Sequence, residues 1–273
     1  MEVNEARRVS PPSRQSSQSL TLFGKVFAHF VLSHSHYCKV VALAEPRPQT
    51  RQAFTTTYGV PVENVFASHT ELLAASDAFV EQGKPRIAMA VIICVQDRMH
   101  AELTIEFARR GFHVLCEKPL GVDAKECIEV AEEVERAGIA FALGHSKQQP
   151  KQPHSIRYLI RLLDFPYSTY ASSLTSLIHS GRLGRLLNIT HLEPIGYYHF
   201  AHSYVRGHWK AEATSAPIVL TKSSHDIDNF CKWLWPLVPS KVSSFAGLGH
   251  FRKERKPEGA EGVNRCLGCP DHI

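Results

Sequence analysis

Residues 111–121 read Gly-Phe-His-Val-Leu-Cys-Glu-Lys-Pro-Leu-Gly. Ahead of them, Ala101 to Arg110 has helical spacing, with Leu103, Phe107 and Ala108 on one side and Glu102, Glu106 and Arg109 on the other. Gly111 falls where such a helix ends in a left-handed cap. Phe112 to Cys116 then has the composition of a strand. In an open α/β sheet ligands bind beyond the carboxyl ends of the strands, which is where Glu117, Lys118 and Pro119 stand. Asp123, with Glu126 three residues on, opens the next helix as a capping box.

Working outward, strands and helices alternate. Phe23–Leu32 reads as an amphipathic helix, Lys39–Glu45 as a strand, and Gln49–Tyr58 as a helix closed by Gly59. Val65–Ala67 is a short strand and Thr70–Ala75 a helix. Arg86–Val95 is a continuous apolar strand of the kind buried on both faces of a parallel sheet. Ala124–Ala137 is a helix ended by Gly138, and Ile139–Gly144 a strand. This order predicts a doubly wound sheet. Residues 1–19, with Pro11-Pro12 and many serines, are expected to be a disordered tail.

Composition fits a soluble enzyme. The 273 residues are 44% hydrophobic and 21% charged, enough to bury one or two cores. The net charge of +5 arises from 31 basic and 26 acidic residues with no basic block beyond Arg252–Lys256, so no nucleic-acid footprint stands out. Seven scattered cysteines suit a reducing compartment and a cytoplasmic location. The longest apolar runs are too short to span a bilayer, so no membrane partner is expected. Cys266 and Cys269 have the spacing of half a zinc site with His250 and His272 nearby, but a structural site needs four ligands, and no metal is assigned.

Three blocks carry a resemblance: Val91–Leu143 with its strand-ending Glu-Lys-Pro, Gly181–Trp209 with Gly-Arg-Leu-Gly and Tyr-Val-Arg-Gly-His-Trp, and Lys222–Leu234 with His-Asp-Ile-Asp. In this order they resemble the oxidoreductase family named for glucose–fructose oxidoreductase, inositol dehydrogenase and MocA. The resemblance implies an α/β fold: a Rossmann-like nucleotide-binding domain over 20–145, then an incomplete α+β substrate domain over 167–273 with a mainly antiparallel sheet begun by Leu187–Ile195 and Val242–Ala246. It implies an NAD(P)-dependent oxidoreductase, a small carbohydrate-like substrate and room for a homo-oligomer. Lys118 becomes the substrate-site lysine, with Lys118–Pro119 as a cis peptide. His225 takes or gives the hydroxyl proton, and Lys222 joins Lys118 in orienting the hydroxyl. Cys94, His100 and Glu117 fall on the nicotinamide side.

Three departures from the family pattern matter. A dinucleotide fold needs a first strand running into Gly-x-Gly-x-x-Gly. Gly24 is the one glycine before residue 59 and corresponds to the end of that fingerprint, directly before the first helix, so the first strand and the glycine-rich loop read as missing. About 20 residues later, Glu45 ends a strand at the spacing that receives the adenosine ribose hydroxyl, which slightly favours NAD, while Arg47 is placed to hold the phosphate of NADP. Second, residues 146–166 intervene as an anomalous insert, read as mis-spliced sequence. Third, the family's Asp four residues before the histidine is Thr221 here, and a threonine is no carboxylate base. The competing reading is a catalytically silent nucleotide-binding or regulatory relative, or a gene product without activity.

Overall fold

A six-stranded parallel sheet organises the first half of the chain. In the computed structural model, which describes residues 6–9, 18–144, 169–256 and 258–263, the strands are β1 (Ala6–Val9), β2 (Leu43–Ala44), β3 (Val65–Phe66), β4 (Ala90–Ile93), β5 (His113–Glu117) and β6 (Phe141–Gly144). They lie in the order β3-β2-β1-β4-β5-β6, the doubly wound arrangement with its strand-order reversal between β1 and β4. Helices α1 (Gln18–Ser33), α2 (Pro48–Tyr58), α3 (His69–Glu81), α4 (His100–Arg109) and α5 (Ala124–Ala137) connect them.

The expected loss of the first strand is corrected here. Ala6–Val9 pairs in parallel with both β2 and β4, Arg8 opposite Leu43 and Ile92, so residues 6–9 are the middle of the sheet rather than part of a disordered tail. Ala-Arg-Arg-Val has no apolar run, which hid it. A strand flanked on both sides satisfies its backbone groups in two ladders whatever its side chains are. Gly24 is also relocated: α1 begins at Gln18, so this buried glycine lies inside the helix and not at its start.

Local chemistry sets several boundaries as expected. Gly111 has φ 72°, a left-handed conformation that glycine adopts without the strain a side chain would bring. Asp123 caps α5 by accepting the Glu126 N–H at 2.9 Å, while Glu126 Oε2 accepts the Val122 N–H at 2.8 Å. Ser68 and Glu71 do the same for α3. The strands are shorter than the apolar runs that announced them: Arg86–Val95 contributes only Ala90–Ile93 to the ladder. Val91, Ile93, Leu103, Phe107, Phe112, Val114 and Cys116 form one dry core, with Phe107 and Phe112 edge to face at 5.2 Å. Each buried aromatic there is worth roughly 3–5 kcal/mol against alanine.

The described residues of the second half combine helices with irregular segments. They include α6 (Thr169–His179), α7 (Tyr197–Phe200) continuing into a π-helical turn at Ala201–Val205, and α8 (Ile218–Leu234). The antiparallel sheet expected in this half is not formed among the described residues. Leu187–Ile195 and Val242–Ala246 have no ladder partner, and Leu187, Leu192, Val242 and Phe245 are largely exposed. An unpaired segment of this kind has nothing to bury its alternate face against. The insert at 146–166, Cys266, Cys269 and His272 lie outside the described residues.

Candidate active site

The loop after β5 and helix α8 meet at Lys118. The Lys118–Pro119 peptide is cis, as the resemblance implied, and the Lys118 ammonium donates to the Thr221 carbonyl oxygen on α8. Burial pushes the Lys118 pKa down, opposed by the nearby Glu117 and Asp97 carboxylates. Lys222, the next residue on α8, donates to His199 Nε2. Its pKa is pushed down to about 8, first by burial and then by the Lys118 charge, with Glu193 acting the other way. His199 is lowered by burial, then by Lys222, His202 and Lys118. Lys118, Lys222 and His199 thus form one electrostatic group.

His225 is one turn further along α8, and Thr221, His225, Asp226 and Asn229 are the buried face of that helix. His225 Nε2 lies 3.3 Å from Asp226 Oδ1, and His191 Nε2 approaches the same oxygen at 3.2 Å. The ligand atoms of His191, Glu193 and Asp226 all lie within 4.8 Å of one another. Thr221, where the family pattern has Asp, contacts the Tyr204 hydroxyl through its own. Burial raises the Tyr204 pKa to about 12. A neutral hydroxyl pair therefore stands where a carboxylate was expected.

Glu117 and His100 are built into the loops behind Lys118. Glu117 is buried at the end of β5, packed against Gly144, and burial raises its pKa to about 7 despite the Lys118 charge. Its Oε1 has no hydrogen-bond partner among the described residues. His100 is fully buried at the start of α4, with Nδ1 2.5 Å from the Pro119 carbonyl oxygen and Nε2 3.2 Å from that of Val95. Desolvation lowers its pKa against the pull of those carbonyls. It thus ties the loop after β4 to the loop carrying Lys118. Cys94 is buried directly after β4, near Cys116, whose thiol burial pushes strongly upward.

Asp97, which sequence reasoning passed over, joins the two halves. Its buried Oδ2 accepts from Trp209 Nε1 and from the Ala216 backbone N–H, both at 2.9 Å. Arg98 adds a bond to the Glu212 carbonyl at 2.7 Å. A cleft lined by Val95, Asp97, His208, Trp209 and Ser215 opens at this junction. The partners are 112 and 119 positions apart, so no local pattern announced them. An acidic residue just beyond a strand's carboxyl end was the available signal.

Glu45 directly follows β2 and is buried. Its carboxylate takes both Arg47 Nε and Nη2 at 2.8 Å, and Arg51 reaches its backbone carbonyl at 2.5 Å. Glu45 and Arg47 thus form one bidentate unit rather than two independent ligands.

The sheet order and the acidic residue after β2 are those of a dinucleotide-binding domain. Residues 20–145, somewhat under half of the chain, match the model of the Gfo/Idh/MocA oxidoreductase family, NAD-binding Rossmann fold. Inositol 2-dehydrogenase of Streptomyces avermitilis is 29% identical over 202 residues, 72% of this chain and 45% of the relative. That of Rhizobium meliloti is 33% identical over 39% of this chain and 29% of its own. The chain thus spans about half the length of the first relative or less. Among solved structures, myo-inositol 2-dehydrogenase from Lactobacillus plantarum superposes with a TM-score of 0.59 at 17% identity, covering 85% of this chain and 56% of that one, a likeness of fold. No helix among the described residues is long and apolar enough to cross a membrane.

Proposed function

We propose that this chain is an NAD(P)-dependent dehydrogenase acting on a hydroxyl-bearing carbon of a sugar-like or polyol substrate, in the cytoplasm. The observation that carries the reading is the contact of Lys118 with the Thr221 carbonyl, which joins the loop beyond β5 to the helix bearing His225. Glu45 with Arg47 at the adenosine end, and the partnerless Glu117 Oε1 at the other, suit the two ends of a dinucleotide. When bound, the nicotinamide ring supplies the hydride acceptor. Lys118 polarises the substrate hydroxyl, and His225 takes its proton as the carbinol hydrogen leaves as hydride. Asp226 beside His225 stabilises the imidazolium so formed. His100 holds the Pro119 carbonyl and keeps the lysine loop in register.

Glu45 favours NAD, because a carboxylate accepts from a ribose hydroxyl and repels a 2′-phosphate. Arg47 is already engaged by Glu45, so NADP binding has to break that pair. The silent-relative reading draws support from one observation: Gly24 lies within α1, and the described residues offer no glycine-rich turn ahead of the helix. The deciding experiment incubates the full chain with NAD or NADP and a panel of polyols, sugars and sugar acids, following absorbance of the reduced cofactor. Turnover that falls roughly 100-fold or more in Lys118→Met and in His225→Asn supports the enzyme. No turnover, together with no NADH binding by fluorescence, supports the silent relative.

A further inference from the structure

Two ammonium groups in this site have no carboxylate at ion-pair distance among the described residues. Lys118 and Lys222 are both half-buried, and their hydrogen bonds go to a carbonyl oxygen and an imidazole nitrogen, which are neutral acceptors. The acids within electrostatic reach are committed or displaced. Glu117 and Asp97 act on Lys118 from beyond ion-pair distance, Asp97 accepting from Trp209 and Ala216, and Asp226 faces the two histidines. Glu193 acts on Lys222 only from beyond ion-pair distance. On α8 itself, the position that would have supplied a carboxylate is Thr221, bonded to Tyr204. Charges withdrawn from water are costly unless paired, and two like charges in one cleft add repulsion to that cost.

We propose that Lys118 and Lys222 together form an anion subsite, and that the substrate is an acidic sugar or polyol whose carboxylate lies between the two ammonium groups. This rests on Lys118 belonging to the substrate site. Two lysines are point charges without the planar fork of arginine, and a singly charged carboxylate is balanced by them without further donors.

The test is calorimetric binding to the full chain without cofactor, with D-gluconate, myo-inositol and inorganic phosphate as probes. Gluconate is expected to bind at least tenfold more tightly than inositol, and Lys222→Gln to erase most of that difference. The comparison of probes on the unaltered chain needs no variant, so it decides the matter even if Lys222→Gln folds poorly. Equal binding of gluconate and inositol overturns the subsite. So does phosphate binding more tightly than gluconate, or displacement of gluconate by NADH, which would assign the lysines to the cofactor. Gluconate that binds but is never oxidised removes the dehydrogenase reading and leaves the subsite standing. Oxidation of inositol with no gluconate binding does the reverse.

Discussion

The two halves of this chain bury opposite kinds of residue. Between β2 and β6 the interior is Val91, Ile93, Leu103, Phe107 and Phe112, dry and closely packed. In the second half the buried positions are chiefly polar, namely Ser203, Ser215, Thr221, His225, Asp226 and Asn229, while Leu187, Leu192, Val242 and Phe245 face solvent, the last at 97%. The first half is held by apolar area and the second by specific polar contacts to the first, with Asp97 at the centre. Stability therefore belongs to one region and chemistry to the seam between them.

The contrast breaks most sharply by truncation. Phe107→Ala is expected to destabilise the chain by roughly 3–5 kcal/mol in urea unfolding, whereas Phe245→Ala stays within about 0.5 kcal/mol. Equal effects would end the distinction between the halves.

A second test uses Glu117, a buried acid at the end of β5. The folded pKa of Glu117 is about 7, above the ordinary carboxylate value of 4.5. Between those values the folded chain keeps a proton that the unfolded chain has released, so this contribution is complete in acid and is lost as pH rises through about 7. Glu117→Gln should remove that dependence and stabilise the chain by on the order of 3 kcal/mol above pH 7, as read from melts across pH.

Asp97→Asn tests the seam alone. Removing the charge that holds Trp209 Nε1 and the Ala216 N–H should cost roughly 1.5–3 kcal/mol. It should red-shift tryptophan emission and speed proteolysis within 187–251, while α4 and α5 keep their hydrogen-exchange protection. Uniform loss of protection would show the halves to unfold as one.

The smallest effect concerns pH and Lys222. With its pKa lowered to about 8 in the company of Lys118, His199 and Glu193, gluconate affinity should fall several-fold as pH rises through about 8. Lys222→Arg should hold that affinity to higher pH, since a guanidinium stays charged.

The dry half was also the more legible one in the amino-acid order. Gly111, the Asp123–Glu126 box and the cis Lys118–Pro119 step follow from local rules or from the family resemblance, and the doubly wound parallel sheet follows from the alternation. Ala6–Val9 was missed because its place is fixed by two neighbouring ladders rather than by its own apolar pattern. Gly24 was misplaced because a glycine within a helix and one before it look alike in a string. At the site, Lys118, Lys222 and His225 were named in advance. Asp97, Tyr204, His199 and Asp226 emerge only when α8 and the π-helical turn are folded back against the sheet, since their partners are set by distance in space.

The central place of β1 has a bearing on synthesis. Ala6 leaves the ribosome well before its neighbour Ala90 on β4, which follows 84 positions later (90 − 6). During that interval the nascent strand has β2 on one side and an open edge on the other, a template for any extended segment nearby.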